Sequence, residues 1–291
     1  MTRRSLILAG GGLKIAYQAG VLQVWLDEAA IEFEHADGTS AACFTLAMWT
    51  QGMSGRRIAD NWRSFDPLKA IDVNWPAILT LPVAESLLTY RRIRTNVFAR
   101  WGLDWDGIRS SDREASFNVY DFTEQRAVVV PPAGMSERML EAAGALPIFF
   151  PPVEIDGHVY VDAVQAGAAN LEHAIARGAD ELWIVWTTST AGRWRNGQIG
   201  EYFGVFELAA NSRLRADLDR IERSNAAVAR GEPGAYGRHV EVRMLQAEVP
   251  LHYLFNFRSR RFREQVDAGV RDARAWCAER GLLPGGTAVS R

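Results

Sequence analysis

The chain has 291 residues, 48% apolar and 23% charged, and its 33 basic and 35 acidic side chains leave a net charge of −2. This composition excludes collagen-like, low-complexity and disordered chains, and the balanced charge offers no field for nucleic acid. A chain of this length buries a sizeable core unaided, and its two cysteines, Cys43 and Cys277, make neither a disulfide framework nor a CxxC metal pair, which points to a reducing, cytoplasmic setting.

No stretch approaches the ~20 uninterrupted apolar residues of a membrane-spanning helix. At the start, the apolar core Leu6–Ala9 is shorter than the ~7–15 residues of a signal peptide. Ser5–Ala9 therefore reads as a first strand, ending in Gly10-Gly11-Gly12. Ile15, Ala19, Leu22 and Leu26 then recur at i, i+4, i+7 and i+11, a helical spacing. Ile31–Ala36 reads as a second strand, running through Asp37-Gly-Thr-Ser-Ala-Ala into an apolar helix over Cys43–Trp49. Strand, turn and helix twice over is the opening of an α/β fold with a parallel sheet.

Between Ser64 and Ser111 the periodicity weakens, and Trp75, Trp101 and Trp105 stand among prolines and arginines. This stretch reads as an insertion, or lid, of short helices and loops. Phe117–Tyr120 and Ala127–Val130 read as strands, Met135–Gly144 as a short helix, and Val153–Val161 as a hairpin turning at Asp156-Gly157. A helix over Glu172–Arg177, ended by Gly178, leads into a buried strand over Leu182–Trp186. The remainder reads as a long helix over Glu201–Arg230, a strand over His239–Leu245 and a last helix over Ser259–Arg280. No repeat or linker interrupts the chain, so residues 1–291 are expected to form one domain.

Two glycine-bearing turns carry the chemistry. Gly10-Gly11-Gly12-Leu13-Lys14 follows a strand and opens a helix, where N–H groups can face an anion. It lacks the third glycine of a dinucleotide fingerprint and the G-K-[ST] of a phosphate loop. An oxyanion hole and a plain tight turn remain. The second turn, Gly38-Thr39-Ser40-Ala41-Ala42, resembles G-x-S-x-G, whose serine is exposed on a sharp strand-to-helix turn. The competing role for Ser40, Asp37 or Thr39 is to cap the following helix. Of the five histidines, His35, His158, His173, His239 and His252, only the last two suit the chain order of an α/β-hydrolase triad, and neither follows a strand in a glycine-rich loop. Asp162, closing the run His158–Val161, is a carboxylate held at a strand end, or else a turn aspartate. No zinc or calcium loop is evident.

Together and in order, these motifs resemble the patatin-like phospholipase family, serine acyl hydrolases that use a Ser-Asp dyad. The family's G-G-G-x-R-G looks like Gly10–Ile15, its G-x-S-x-G like Gly38–Ala42, and its D-G-G/A like Asp162-Ala163-Val164. The run Ala142–Val153, with its "FPPV", and Gly178-Ala179-Asp180 are similar to further family segments, while residues 187–291 carry no family motif. The resemblance implies Ser40 as nucleophile, Asp162 as base, and Gly10, Gly11 and Gly12 around the oxyanion, supported by Lys14, Gly38, Ala42 and Ala163. It implies a parallel-type central sheet with helices on both faces, no cofactor or metal, and an acyl-ester or lipid substrate met with transient membrane-surface contact.

The chain departs from the family at Lys14 for arginine and at Ile15, Ala42 and Val164 for glycine, and Ala168 stands where an asparagine is expected. The competing class is a non-catalytic lipid- or protein-binding protein with a drifted site. Acyl transfer to an alcohol other than water would use the same dyad. The basic stretch Arg258–Arg263 reads as a solvated helix start or a contact for anionic headgroups.

Overall fold

The computed structural model describes residues 2–76, 85–194, 196–249 and 259–284. In chain order the strands are β1 (Arg4–Leu8), β2 (His35–Thr39), β3 (Asp72–Val73), β4 (Leu88–Thr89), β5 (Glu114–Asp121), β6 (Arg126–Val130), β7 (Val153–Ile155), β8 (His158–Asp162), β9 (Glu181–Trp186) and β10 (Glu241–Gln246). The main helices are α1 (Ala16–Leu22), α2 (Ala42–Thr50), α3 (Gly55–Arg63), α4 (Glu137–Ala143), α5 (Leu171–Ala176), α6 (Gln198–Ala229) and α7 (Ser259–Glu279).

Strands β10, β9, β1, β2 and β5 lie side by side and parallel. Successive residues of β1 point to opposite faces, so Leu6 and Leu8 enter one core while Ile7 and Ala9 enter the other. The first core packs against α1, α2, α3, α4 and α7, and the second against α5 and α6. Helices thus cover both faces, as expected for an α/β chain whose strands read as continuous apolar runs. All six residues of β9 are buried.

The register on β5 brings distant parts of the chain together. β6 occupies one edge of β5, pairing antiparallel from Phe117 to Asp121. The other edge takes β2 up to Thr39 opposite Asn118, and then β8 from Asp162 opposite Val119. The two strands abut end to end along one template, so the residue after Thr39 meets the last residue of β8.

The second strand lies later than its apolar residues suggest. It spans His35–Thr39 rather than Ile31–Ala36, because β1 and β5 flank Asp37 and Gly38 from both sides and β5 pairs with Thr39. The hairpin at Asp156-Gly157 forms as expected, with both residues at positive φ, and Gly178 ends α5's turn in the same way. The segment from 64 to 111 holds short helices, as expected, plus the small hairpin of β3 and β4; its residues 77–84 lie outside the described ones.

Helices α1 and α7 cross backbone to backbone. A Cβ at Gly20 would lie 2.0 Å from the Val266 carbonyl oxygen, and one at Gly269 would lie 2.1 Å from that of Tyr17. Gly20→Ala is therefore expected to force the helices apart and to cost about 3 kcal/mol, the upper end for overpacking. Urea unfolding should show a lower midpoint at unchanged slope.

Candidate active site

Ser40 sits where β2 turns into α2. Its φ is +62°, a left-handed conformation that is uncommon for a residue bearing a Cβ and that concentrates at functional turns. Small neighbours permit the turn: a Cβ at Gly38 would come within 3.0 Å of Leu46, and Ala42 is completely buried. The capping alternative does not hold. Helix α2 starts from Ala41 without a side-chain cap, and the Ser40 hydroxyl instead donates to Asp162 Oδ2 at 2.6 Å.

Asp162 arrives from the end of β8 through the pairing on β5. Its N–H donates to the Ala145 carbonyl (3.1 Å), and its Oδ1 accepts the Val164 N–H (2.9 Å), so the carboxylate is aimed by one oxygen while the other meets Ser40. The turn role and the Ser40 contact coexist in one side chain. Both residues are buried, and burial raises the Asp162 carboxyl to about 7 against the lowering effect of the Ser40 and Val164 hydrogen bonds. Ala163 is buried behind it.

The glycine turn lies against this pair. Gly10 donates its N–H to the Ala168 carbonyl at 2.7 Å, so that group is committed to holding the turn. Gly10 is also needed for space: a Cβ there would lie 2.7 Å from Val164 Cγ2 and 3.1 Å from Ser40 Cβ. Gly11 and Gly12 line the same cavity as Ser40 and Asp162, and Gly12 has the left-handed φ of +57°. A Cβ at Gly11 would meet the Thr187 hydroxyl at 2.5 Å. Lys14 is buried and pairs with Glu207 of α6 at 3.1 Å, tying the turn to that helix. Of the other departures, Ile15 is core and Val164 packs beside Gly10.

Three polar residues that the motifs do not reveal support the elbow. Asn118 Nδ2 approaches Asp37 Oδ1 (2.8 Å), the Gly38 carbonyl (2.9 Å) and Thr39 Oγ1 (3.2 Å). Asn118 Oδ1 accepts from Asn170 Nδ2 at 2.9 Å. Asn170, two residues beyond Ala168, is thus the asparagine that joins the Asp162 arm to the Ser40 arm, and its Oδ1 also caps α5. Asp37 is completely buried, and burial raises its carboxyl to about 8. The sequence hid this network, because the expected strand Ile31–Ala36 stops one residue short of Asp37.

The cavity has a volume of about 250 Å³. Its walls are mostly apolar, with Phe44, Ile93, Val97, Phe149, Phe150 and Phe203 prominent. The segment 64–111 contributes aliphatic residues, Phe65 and Tyr90 to this lining, not its tryptophans. Trp101 is core, its ring tilted against that of Trp62 with ring centres 4.7 Å apart, and Trp75 is exposed.

None of His35, His158, His173 and His239 lines the cavity. His35 lies at the far end of β2 between the hydroxyls of Ser5 (2.6 Å) and Ser116 (2.8 Å), and burial lowers its ring to about 4. His239 precedes the edge strand β10, whereas Ser40 follows the central strand β2 at the other end of these parallel strands, and His252 lies outside the described residues. In the basic stretch, Arg260 and Arg261 pair with Glu264 while Phe262 is core, and Arg258 lies outside the described residues. Among the described residues no three His, Cys, Asp or Glu side chains converge as metal ligands, and no helix is long and apolar enough to cross a membrane.

No curated protein matches the chain by sequence. Among solved structures it is similar to VipD from Legionella pneumophila, at 12% identity and a TM-score of 0.45, over 94% of this chain and 67% of that one. The family resemblance carried by the two glycine-bearing turns is borne out directly, since residues 6–132 of this chain match the patatin-like phospholipase family.

Proposed function

We propose that the protein is a serine acyl hydrolase acting on lipid or other acyl esters through Ser40 and Asp162. The observation that carries this reading is the 2.6 Å hydrogen bond from Ser40 Oγ to a buried Asp162, with both groups lining an apolar cavity. Asp162 takes the hydroxyl proton as Oγ attacks the ester carbonyl. The N–H groups of Gly11 and Gly12 hold the oxyanion, a contribution of about 3–4 kcal/mol per donor in such sites. Gly10 acts through shape, because its N–H serves Ala168. The protonated Asp162 then returns its proton to the departing alcohol. Water, deprotonated in turn by Asp162, attacks the acyl-Ser40 ester and frees the acid.

The apolar wall receives the acyl chain. Ile199, Val205 and Leu208 are exposed on α6, whose Phe203 and Phe206 line the cavity. That surface supports transient contact with a lipid aggregate during substrate entry.

A fluorophosphonate probe tests the reading. Mass spectrometry is expected to find the adduct on Ser40, and Ser40→Ala should abolish it. Folded protein that takes no label at Ser40 would instead be a binding protein built on the same fold.

A further inference from the structure

One polar group of the cavity wall has nothing to bind. Thr188 lies two residues beyond the end of β9 at Trp186. Thr188 lines the cavity with Gly12, Lys14, Ser40 and Glu207, is 2% exposed, and its hydroxyl meets no hydrogen-bond partner among the described residues. The loop around it is firmly held. Ser189 Oγ donates to Glu248 at 2.6 Å, the Thr190 N–H donates to the same carboxylate at 2.8 Å, and Asn211 Nδ2 donates to the Ser189 carbonyl at 2.7 Å. Buried hydroxyls are nearly always partnered, so an orphan on a pinned loop beside a reactive serine points to a ligand group.

The charges nearby limit what that group can be. Among the described lining residues the ionisable side chains at this polar end are Lys14, Glu207 and Asp162. Lys14 and Glu207 are 3.1 Å apart, with side chains 3% and 14% exposed, so their charges cancel. A phosphate placed here would face two carboxyl groups and no uncompensated cation. An uncharged hydroxyl carries no such penalty and can both donate to and accept from Thr188.

We propose that Thr188 is a specificity-determining residue whose hydroxyl binds a free hydroxyl on the alcohol part of the ester, making an uncharged acylglycerol the preferred substrate over one bearing phosphate. This rests on the hydrolase reading above. The full chain would be assayed on three esters of one acyl chain: a monoacylglycerol, a methyl ester and a 1-acylglycerol 3-phosphate. The monoacylglycerol is expected to have the highest kcat/KM, by about tenfold over each of the others.

Thr188→Val preserves shape and should collapse the monoacylglycerol-to-methyl-ester ratio about tenfold, whereas Thr188→Ser should retain it. Thr188→Ala serves as the second hydroxyl-deleting variant if valine disturbs the loop. Glu207→Gln removes the carboxylate 3.1 Å from Lys14 and should raise the relative rate on the phosphate ester. A preference for the phosphate ester in the parent, or an unchanged ratio in both hydroxyl-deleting variants, overturns the proposal while methyl-ester cleavage leaves the dyad standing. Failure to cleave any ester, with no probe on Ser40, overturns both.

Discussion

Asp162→Asn is expected to lower kcat/KM for ester hydrolysis by about 10⁴-fold, and Ser40→Ala by at least as much, as for loss of a nucleophile or its base elsewhere. Asparagine still offers an oxygen to the Val164 N–H, so the fold should persist, but an amide cannot take the serine proton. Replacing His35, His158, His173 or His239 by Gln should leave turnover within about tenfold, because none of them lines the cavity. A histidine-based triad predicts the reverse: one histidine variant inactive and Asp162→Asn mild.

The pH profile offers an independent check. Asp162 must be ionised to act as base, and its carboxyl is raised to about 7. Activity should therefore rise tenfold per pH unit below about 7 and level off above it. A profile already flat at pH 5 would remove Asp162 from the role of base.

The second large effect is on stability. Asp37 is buried with its carboxyl raised to about 8, while in the unfolded chain it titrates near 3.8. Between those values the folded protein keeps a proton that the unfolded chain has released. Stability must then fall as pH rises, by up to about 1.4 kcal/mol per unit from this one group, and flatten above about 8. Asp37→Asn does not titrate. The variant is expected to match the parent near pH 4 and to exceed it by several kcal/mol at pH 8, read from urea midpoints at each pH. A gap that does not widen with pH would mean that Asp37 is already ionised in the fold. Asp162 acts with the same sign up to about 7, so the parent loses stability over the range in which its proposed chemistry gains rate.

The elbow and the glycine turn were legible because each is a demand on one short stretch of backbone. A left-handed serine between a strand and a helix tolerates only small neighbours, and Gly38, Ala41 and Ala42 announce it in sequence. Gly10–Gly12 do the same for the first turn. The α/β order of elements was legible for a similar reason, since buried runs such as Leu182–Trp186 and the spacing of Ile15, Ala19 and Leu22 are properties of single segments. The second strand was misplaced because Ile31 and Phe33 look like strand residues, whereas Asp37 and Gly38 become strand only when flanked by β1 and β5, and Thr39 only when paired with β5.

The tryptophans of the 64–111 stretch were equally ambiguous. Whether Trp101 lines a cavity or fills a core depends on Trp62, which lies far away in sequence. The sequence by itself thus determined which residues can make a sharp turn and which segments must be buried, while the pairing of Ser40 with Asp162 came from the family resemblance. Only the tertiary structure decided that Ser40 and Asp162 meet, that Gly10 spends its N–H on Ala168, that Asn118 and Asn170 join the two arms, and that Glu207 neutralises Lys14. The physical reason is range. Backbone conformation is set by sterics among adjacent residues, whereas these contacts arise from register between strands and helices that the chain brings together from up to 193 positions apart.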